Sequence, residues 1–266
     1  MLAVCITEIH MFVSLVGRPA DIEMDKALTV SHPAPCSLQA SALLAMVAGN
    51  GVMSLEPPSG WQVYATCRDL NSASELRRLA DVSDRTMQVL ALDVTDLASV
   101  KAAATELDGQ AIELLLNNAG IGGPPGQRVG NIDYEAWAKV LDVNILGPLR
   151  VSEAFVDNVA RSKGKLIVIV TSGMDSIADN TSGGAFAYRS SKAAVNMLMR
   201  SLAVDLAPSG VTCVVINPGW VRTDMGGPHG TQTPAESIAK LRHLIEDLGR
   251  DQSGKFFNHD GREFAW

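Results

Sequence analysis

The sequence lacks the features that mark membrane proteins and nucleic-acid-binding proteins. No run reaches the roughly 18 uncharged apolar residues that a transmembrane helix needs. Its 22 lysines and arginines are outnumbered by 29 aspartates and glutamates, which gives a net charge of -7. The longest basic cluster is the pair Arg77-Arg78. We therefore expect no membrane and no nucleic acid as partners, and a small molecule is the expected ligand.

Cysteine is also scarce, and the four cysteines show no CxxC spacing. The sequence therefore predicts neither a metal site nor a disulfide framework. Cys67 and Cys213 lie in apolar runs and are expected to be reduced core residues. Glu8 and His10 interrupt the apolar N-terminus, and no basic segment precedes it. No signal peptide is predicted, and the cytoplasm is the expected location.

Short apolar runs alternate with longer helix-period segments from Gln62 onward. This alternation is typical of βαβ units and predicts a single α/β domain with a Rossmann-like, doubly wound parallel sheet. A single fold of 266 residues buries about three quarters of its unfolded surface, so a second domain is not needed. The predicted strands are Gln62 to Cys67, Met87 to Leu92, Ile112 to Asn117, Lys165 to Val170, Val211 to Asn217 and Lys255 to Asn258. The predicted helices are Ser72 to Ala80, Leu97 to Leu107, Tyr134 to Ser162 with an interruption near Gly147-Pro148, Ala185 to Ala207 and Pro234 to Leu248.

Residues 1 to 60 follow a different pattern, in which five prolines interrupt the apolar runs. We therefore divide the chain into a divergent N-terminal segment, residues 1–60, and a Rossmann-type domain, residues 61–266. The apolar run Ser41 to Ala48 is the candidate for a first strand, because Gly49-Asn50-Gly51 follows it. Pro57-Pro58 leaves room for only a short helix after that turn.

Tyr188 and Lys192 lie four residues apart at the start of a predicted helix, which places both side chains on one face. A phenol has a reference pKa near 10 and is a poor acid-base catalyst at neutral pH. An ammonium about 4 Å away supplies roughly 4 kcal/mol at an effective dielectric of about 20, which corresponds to about three pKa units. Lys192 would then let Tyr188 donate a proton to a carbonyl oxygen or accept one from an alcohol. Alone, the pair is also compatible with an ordinary solvated helix face.

Polar residues follow three of the predicted strands, at the edge of the sheet where ligands of doubly wound folds bind. They are Ser172, the segment Asn117 to Gly120, and the segment Asn217 to Gly219 with Thr223 in the following loop. Asn144 precedes Gly147-Pro148, a predicted kink where a polar side chain and freed backbone carbonyls can hold water. Each segment is also explained as a simple turn, but all of them converge on one edge of the sheet.

Together these residues resemble the short-chain dehydrogenase/reductase family, and the likeness runs from about Trp61 to Trp266. The matching positions are Asp93-Val94, Asn117 to Gly120, Asn144, Ser172, Tyr188, Lys192 and Pro218 to Thr223. Within the family, Ala65 to Asp69 and Gly254 to Gly261 resemble the C-factor-like and sniffer-type carbonyl reductases. The resemblance implies an NAD(P)H-dependent oxidoreductase that interconverts a carbonyl and an alcohol by hydride transfer.

The resemblance also implies a role for each matching residue. Tyr188 would be the general acid or base, Ser172 would hydrogen-bond the substrate oxygen, and Lys192 would bind the nicotinamide ribose and lower the pKa of Tyr188. Asn144 would anchor a water in the proton relay. The implied cofactor contacts are Asp93, Val94, Asn117, Gly120, Tyr188, Lys192, Val221 and Thr223. Arg68 could pair with a ribose 2′-phosphate, which favours NADP(H) over NAD(H).

One motif of that family, the TGxxxGxG turn between the first strand and the first helix, does not occur in this sequence. Gly49-Asn50-Gly51 lies too close to the next strand for a normal intervening helix. Three explanations stay open: a rearranged glycine turn that still binds the dinucleotide, an altered segment fused to an otherwise normal reductase, or a protein that has lost catalysis. We favour the second, because the change at Trp61 is sharp. The rival function is a cofactor-deficient homologue that acts as a binding or signalling protein.

The expected substrate is a small-molecule carbonyl or alcohol, which no motif identifies further. Gly184 to Phe186, Trp220 and Met225 are candidates for an apolar substrate cleft, and the loop Ser176 to Gly184 is a candidate for shaping its mouth. By analogy with the family, the helices predicted at Tyr134 to Ser162 and Ala185 to Ala207 would pair copies of the chain into a homodimer or homotetramer.

Overall fold

A mostly parallel sheet with helices on both faces forms the frame of the protein. The computed structural model describes residues 12–16, 47–48, 51–52, 62–83 and 85–266. The strands are β1 Phe12–Val16, β2 Val47–Ala48, β3 Gly51–Val52, β4 Gln62–Cys67, β5 Met87–Ala91, β6 Leu114–Asn117, β7 Leu166–Val170, β8 Thr212–Asn217 and β9 Phe256–Asn258. The helices are α1 Ser74–Val82, α2 Leu97–Glu106, α3 Tyr134–Leu141, α4 Gly147–Arg161, α5 Phe186–Asp205 and α6 Pro234–Glu246.

The predicted α/β architecture is confirmed from Gln62 onward, where element boundaries agree with the sequence predictions within two residues. The large sheet has the strand order β5-β4-β1-β6-β7-β8-β9. Apolar residues of β7 alternate between the two faces of this sheet. Ile167 and Ile169 join the core that contains residues of α2, α4 and α5, whereas Val168 joins the core that contains residues of α1 and α6. The continuous apolar runs predicted as strands therefore reflect a sheet that is covered on both sides.

The first strand of the large sheet differs from the prediction in place and direction. It is β1 and not Ser41 to Ala48, and it pairs antiparallel with both β4 and β6. Val47–Ala48 pairs with Gly51–Val52 instead, in agreement with the Gly49-Asn50 sequence between them, because glycine at the first position of a two-residue loop favours hairpin turns. Residues 41–46 lie outside the described part of the chain.

The direction of β1 decides where the chain leaves the sheet. Phe12 pairs with Asn117 at the carboxyl end of β6, whereas Val16 pairs with Gln62 at the amino end of β4. The carboxyl end of β1 therefore lies at the edge opposite to the one where β4, β6 and β7 end.

The interruption predicted within the long helix is confirmed as a π-helical turn at Asp142–Leu146, which joins α3 to α4. Gly147 begins α4, and a Cβ atom on it would lie 2.9 Å from Val94 Cγ2. A side chain at this position would therefore collide with the loop after β5.

A helix cap and two buried thiols belong to this frame, and the thiols were predicted from the sequence. The Asp96 side chain accepts a hydrogen bond of 2.9 Å from Ala98 N and so caps α2. Cys67 and Cys213 are buried free thiols. In the described ranges, every helix is too short or too polar to cross a bilayer.

Candidate active site

The amino end of α5 lies against the carboxyl ends of the central strands, and this contact assembles the candidate site. Gln127 accepts a hydrogen bond of 2.9 Å from Ala187 N through its Oε1 atom, which satisfies one of the unpaired amides of the first helical turn. Tyr188, Lys192 and Asn196 follow at four-residue intervals and form a stripe along one face of α5. The predicted shared face of Tyr188 and Lys192 is therefore present.

Ser172 directly follows β7 and its neighbour Thr171, at the edge predicted for ligands. Its Oγ atom accepts a hydrogen bond of 3.1 Å from Met174 N, which begins a single 3-10 turn at Gly173–Asp175. The Ser172 hydroxyl is also close enough to the Tyr188 hydroxyl to act on its pKa. The two predicted reacting hydroxyls are thus neighbours, although 16 positions separate them in the sequence.

The ionisation of Tyr188 differs from the expectation that Lys192 lowers its pKa. Burial raises the pKa of Tyr188 above its ordinary value, and the charge of Asp175 adds to this rise. The Ser172 hydroxyl acts in the opposite direction but does not reverse the rise. The Lys192 ammonium lies 5.9 Å from the centre of the Tyr188 ring and donates its hydrogen bond elsewhere. Tyr188 is therefore a protonated phenol at neutral pH.

Lys192 is almost completely buried, with 5% of its surface exposed. Its Nζ atom donates to the Val170 carbonyl at 3.0 Å, which ties α5 to the end of β7. Burial lowers the pKa of Lys192 to about 8, and the charge of Asp175 raises it against that effect. Because an ammonium has three N–H donors, two of them are left after the bond to Val170.

Asn144 joins the π-helical turn to two other parts of the site. Its Oδ1 atom accepts from Ile121 N at 2.8 Å, and its Nδ2 atom donates to Ile121 O and to Ser191 Oγ, both at 2.9 Å. Both amide hydrogens are therefore used within the protein. A Cβ atom on Gly120 would lie 3.3 Å from Lys192 Nζ and 3.4 Å from Asn144 Oδ1. The glycine at the end of the Asn117 to Gly120 segment leaves the space beside the lysine open.

The residues predicted to contact an adenosine lie beyond the carboxyl ends of β4, β5 and β6. Arg68 is exposed directly after β4, and Asp93 follows the neighbouring strand β5. The Asp93 carboxylate accepts hydrogen bonds of 2.8 and 2.6 Å from Thr95 N and Thr95 Oγ1. Val94 and Asn117 are buried at this edge.

The loop after β8 carries the last predicted cofactor residues and is fixed by contacts with Gln232. Val221 is buried and pairs with Gln232. The Gln232 side chain donates to Pro218 O at 2.6 Å. Thr223 Oγ1 accepts from Gly226 N at 3.0 Å, which closes a turn beside the site.

Residues predicted to line a substrate cleft surround this edge. A Cβ atom on Gly122 would lie 3.9 Å from Met225 Cγ, so the loop after β6 approaches the loop after β8. Trp220 and Met225 are both more than half exposed. Phe186 packs against Trp137 instead, with ring centres 6.4 Å apart. Within the described ranges, no three His, Cys, Asp or Glu side chains are grouped so as to hold a metal ion.

Several residues of the site were missed by the sequence analysis, namely Gln127, Asp175, Ser191 and Gln232. Asp175 had a readable signal, because Ser172 and Asp175 form the Ser-x-x-Asp pattern of a capping box. Ser191 and Gln232 act through contacts between segments that are distant in the sequence, and no local pattern marks them.

Comparison with known proteins supports this geometry. Residues 58–233 match the family model described as short chain dehydrogenase. The C-signal protein of Myxococcus xanthus is 41% identical over 167 residues, covering 63% of this chain and 100% of that protein. A 1-hydroxy-2-glutathionyl-2-methyl-3-butene dehydrogenase of Rhodococcus is 36% identical over 66% of this chain and 78% of its own length. The carbonyl reductase Sniffer of D. melanogaster superposes with a TM-score of 0.73 at 32% identity, covering 76% of this chain and 87% of that chain. An NADPH-bound carbonyl reductase from chicken fatty liver has a TM-score of 0.71 at 35% identity and the same coverage.

Proposed function

The chain belongs to the short-chain dehydrogenase family and is an NAD(P)H-dependent oxidoreductase that interconverts a carbonyl and an alcohol, and we propose that it uses NADP(H) to reduce a small-molecule ketone or aldehyde. The observation that carries the proposal is the proximity of Ser172 and Tyr188 beside the buried Lys192. We assign the proton transfer to this group.

The described residues fit the nicotinamide end of the cofactor. A Cβ atom at Gly120 would crowd Lys192 Nζ and Asn144 Oδ1, so the missing side chain permits the close approach that a ribose needs. The two remaining donors of Lys192 would bind the ribose hydroxyls, and Val221 and Thr223 would hold the nicotinamide from the loop after β8. When bound, the reduced nicotinamide supplies a hydride to the carbonyl carbon.

The protonated state of Tyr188 suits the reductive direction. The carbonyl oxygen would accept the phenolic proton of Tyr188 while Ser172 donates a hydrogen bond to the same oxygen. The tyrosinate would then recover a proton from solvent. Because both amide hydrogens of Asn144 are used within the protein, we assign any water of this relay to carbonyls of the π-helical turn.

The other end of the cofactor would lie along the carboxyl ends of β4, β5 and β6. We assign binding of the adenine to Asp93 and Val94, and binding of the adjoining part of the cofactor to Asn117. Arg68 would bind the ribose 2′-phosphate, which is the basis for preferring NADP(H). The last residue of β1, Val16, lies at the opposite edge, so the carboxyl end of this strand does not face the pyrophosphate. We therefore expect weaker binding than in a protein that holds the pyrophosphate at a helix N-terminus.

The test is a titration of the purified chain with NADPH and NADH, followed by nicotinamide fluorescence. We expect saturable binding of both, tighter for NADPH, and NADPH-dependent reduction of model ketones and aldehydes. No saturable binding up to millimolar cofactor would refute the proposed function.

A signalling role is the second candidate, and it rests on the match to the C-signal protein over the whole length of that protein. It predicts a biological response to the purified chain that survives loss of the Tyr188 hydroxyl. If a variant without the Tyr188 hydroxyl loses both turnover and the biological response, the response depends on the enzyme activity.

We also propose a cytoplasmic location and a homodimer or homotetramer that pairs through α4 and α5. Two apolar residues of α5, Met197 and Val204, have 68% and 62% of their surface exposed and are available for such a contact. Light scattering of the purified chain would test the assembly, and a monomer at micromolar concentration would contradict it.

A further inference from the structure

A buried carboxyl group lies directly beneath the candidate active site. Asp175 is 3% exposed and ends the 3-10 turn that Ser172 begins. Its Oδ2 atom accepts hydrogen bonds from Thr171 Oγ1 and, at 3.3 Å, from Ser172 N. An acidic side chain is almost never buried without partners that favour its charge. The surroundings of Asp175 are therefore informative about its role.

The stripe of α5 that carries the reacting residues also acts on Asp175. Burial raises the pKa of Asp175, whereas nearby Asn196, one turn beyond Lys192, and the charge of Lys192 lower it and favour the ionised form. Tyr188 lies at the other end of the same stripe. Arg189 is another charged residue that contacts the 3-10 turn. It donates to the carbonyl of Met174, the residue before Asp175, at 2.9 Å on the partly exposed side of this turn.

The geometry also fixes how Ser172 is presented. Asp175 holds the amide of Ser172, while the Ser172 hydroxyl accepts from Met174 N. These two bonds form a reciprocal cap that sets both the backbone and the rotamer of Ser172. The same carboxyl group thus contacts the serine segment directly and acts on Lys192 through its charge.

We propose that Asp175 is a positioning residue whose buried carboxylate is the counter-charge of Lys192 and holds Ser172 beside Tyr188. This role rests on the proposed function of the site. Without the carboxylate, the buried lysine loses the charge that offsets its removal from water. Lys192 is then neutral over more of the physiological pH range and binds a ribose hydroxyl less strongly.

The test is a direct titration of Lys192 in the cofactor-free protein. Biosynthetic incorporation of ε-¹³C-lysine gives an NMR signal for each lysine, and Lys192→Arg identifies the signal of Lys192. We expect a midpoint near the value of about 8 in the original chain. In Asp175→Asn the midpoint is expected to fall by about one pH unit, a tenfold loss of proton affinity.

Asp179→Asn is the matched control, because it removes a carboxylate from an exposed position of the same loop. It is expected to leave the Lys192 midpoint unchanged. If Asp175→Asn does not fold, Asp175→Gly removes the charge without leaving a buried amide, and the same fall is expected. A midpoint that stays within a few tenths of a unit in the folded variant would overturn the proposal and leave Asp175 with a structural role only.

Activity measurements separate this inference from the proposed function. In an active enzyme, the pH above which kcat/KM declines should fall in Asp175→Asn together with the Lys192 midpoint. If the protein binds no cofactor, the proposed function fails, but the Lys192 titration still decides whether Asp175 acts as the counter-charge.

Discussion

The buried lysine makes cofactor affinity depend on pH in a range that is easy to measure. With a pKa of about 8, Lys192 is about nine-tenths charged at pH 7 and about one-tenth charged at pH 9. The charged form is lost as pH rises through the pKa. If only the ammonium form binds the ribose, the Kd of NADPH rises about tenfold between pH 7 and pH 9, which is about 1.4 kcal/mol. The cofactor phosphates do not titrate in this window, because a phosphate monoester has its second pKa near 6.

The assay is a fluorescence titration of NADPH at half-unit steps from pH 7 to pH 9. In Lys192→Arg the affinity is expected to be nearly constant, because a guanidinium stays charged throughout. Lys165→Arg is the matched control, since Lys165 also donates to a backbone carbonyl, that of Ser209 at 3.1 Å, but on the exposed surface. It should keep the original pH profile. A Kd of the original chain that does not change between pH 7 and pH 9 would refute the assignment of the ribose to Lys192.

Three further variants test the other parts of the site. Tyr188→Phe is expected to lower kcat by about 100-fold to 10,000-fold with little change in NADPH affinity, because its hydroxyl acts in proton transfer; near-normal kcat would contradict that role. Arg68→Gln is expected to weaken NADPH binding about tenfold and to leave NADH binding nearly unchanged, which parallel titrations measure; equal losses would remove the basis for the NADP(H) preference. Asn144→Ala leaves both backbone groups of Ile121 without their partner, so thermal unfolding should show a loss of about 2–4 kcal/mol, and an unchanged Tm would show that water replaces the amide.

The fold from Gln62 onward was predictable because its strands are short apolar runs and its helices end at recognisable residues. Pro208 and Gly210, for example, follow the end of α5, and Gly210 adopts a φ of 74° that suits glycine. The N-terminal strand was not predictable in the same way. Phe12–Val16 pairs with two strands that are distant in the sequence, and neither its direction nor its place is encoded in a local pattern.

The site was predictable to the extent that its residues sit at strand ends or at helical spacing. Ser172, Tyr188, Lys192, Asn144 and Gly120 are brought together as expected, although their roles stay predictions. The pKa of Tyr188 was predicted in the wrong direction because spacing gives no measure of burial. Burial and the unforeseen charge of Asp175 determine that ionisation, and both depend on packing between β7 and α5.

The antiparallel β1 also has a consequence for the order in which the protein folds. In the large sheet, β1 is the strand that joins the β5-β4 pair to the run from β6 to β9. Its pairing with β6 closes a loop of roughly a hundred residues, and contacts of such long sequence separation form slowly. The two parts of the sheet would therefore form first, and they would not be joined by strand pairing until β1 inserts between them. Until then, β4 and β6 present facing unpaired edges, which are open to strands from other chains.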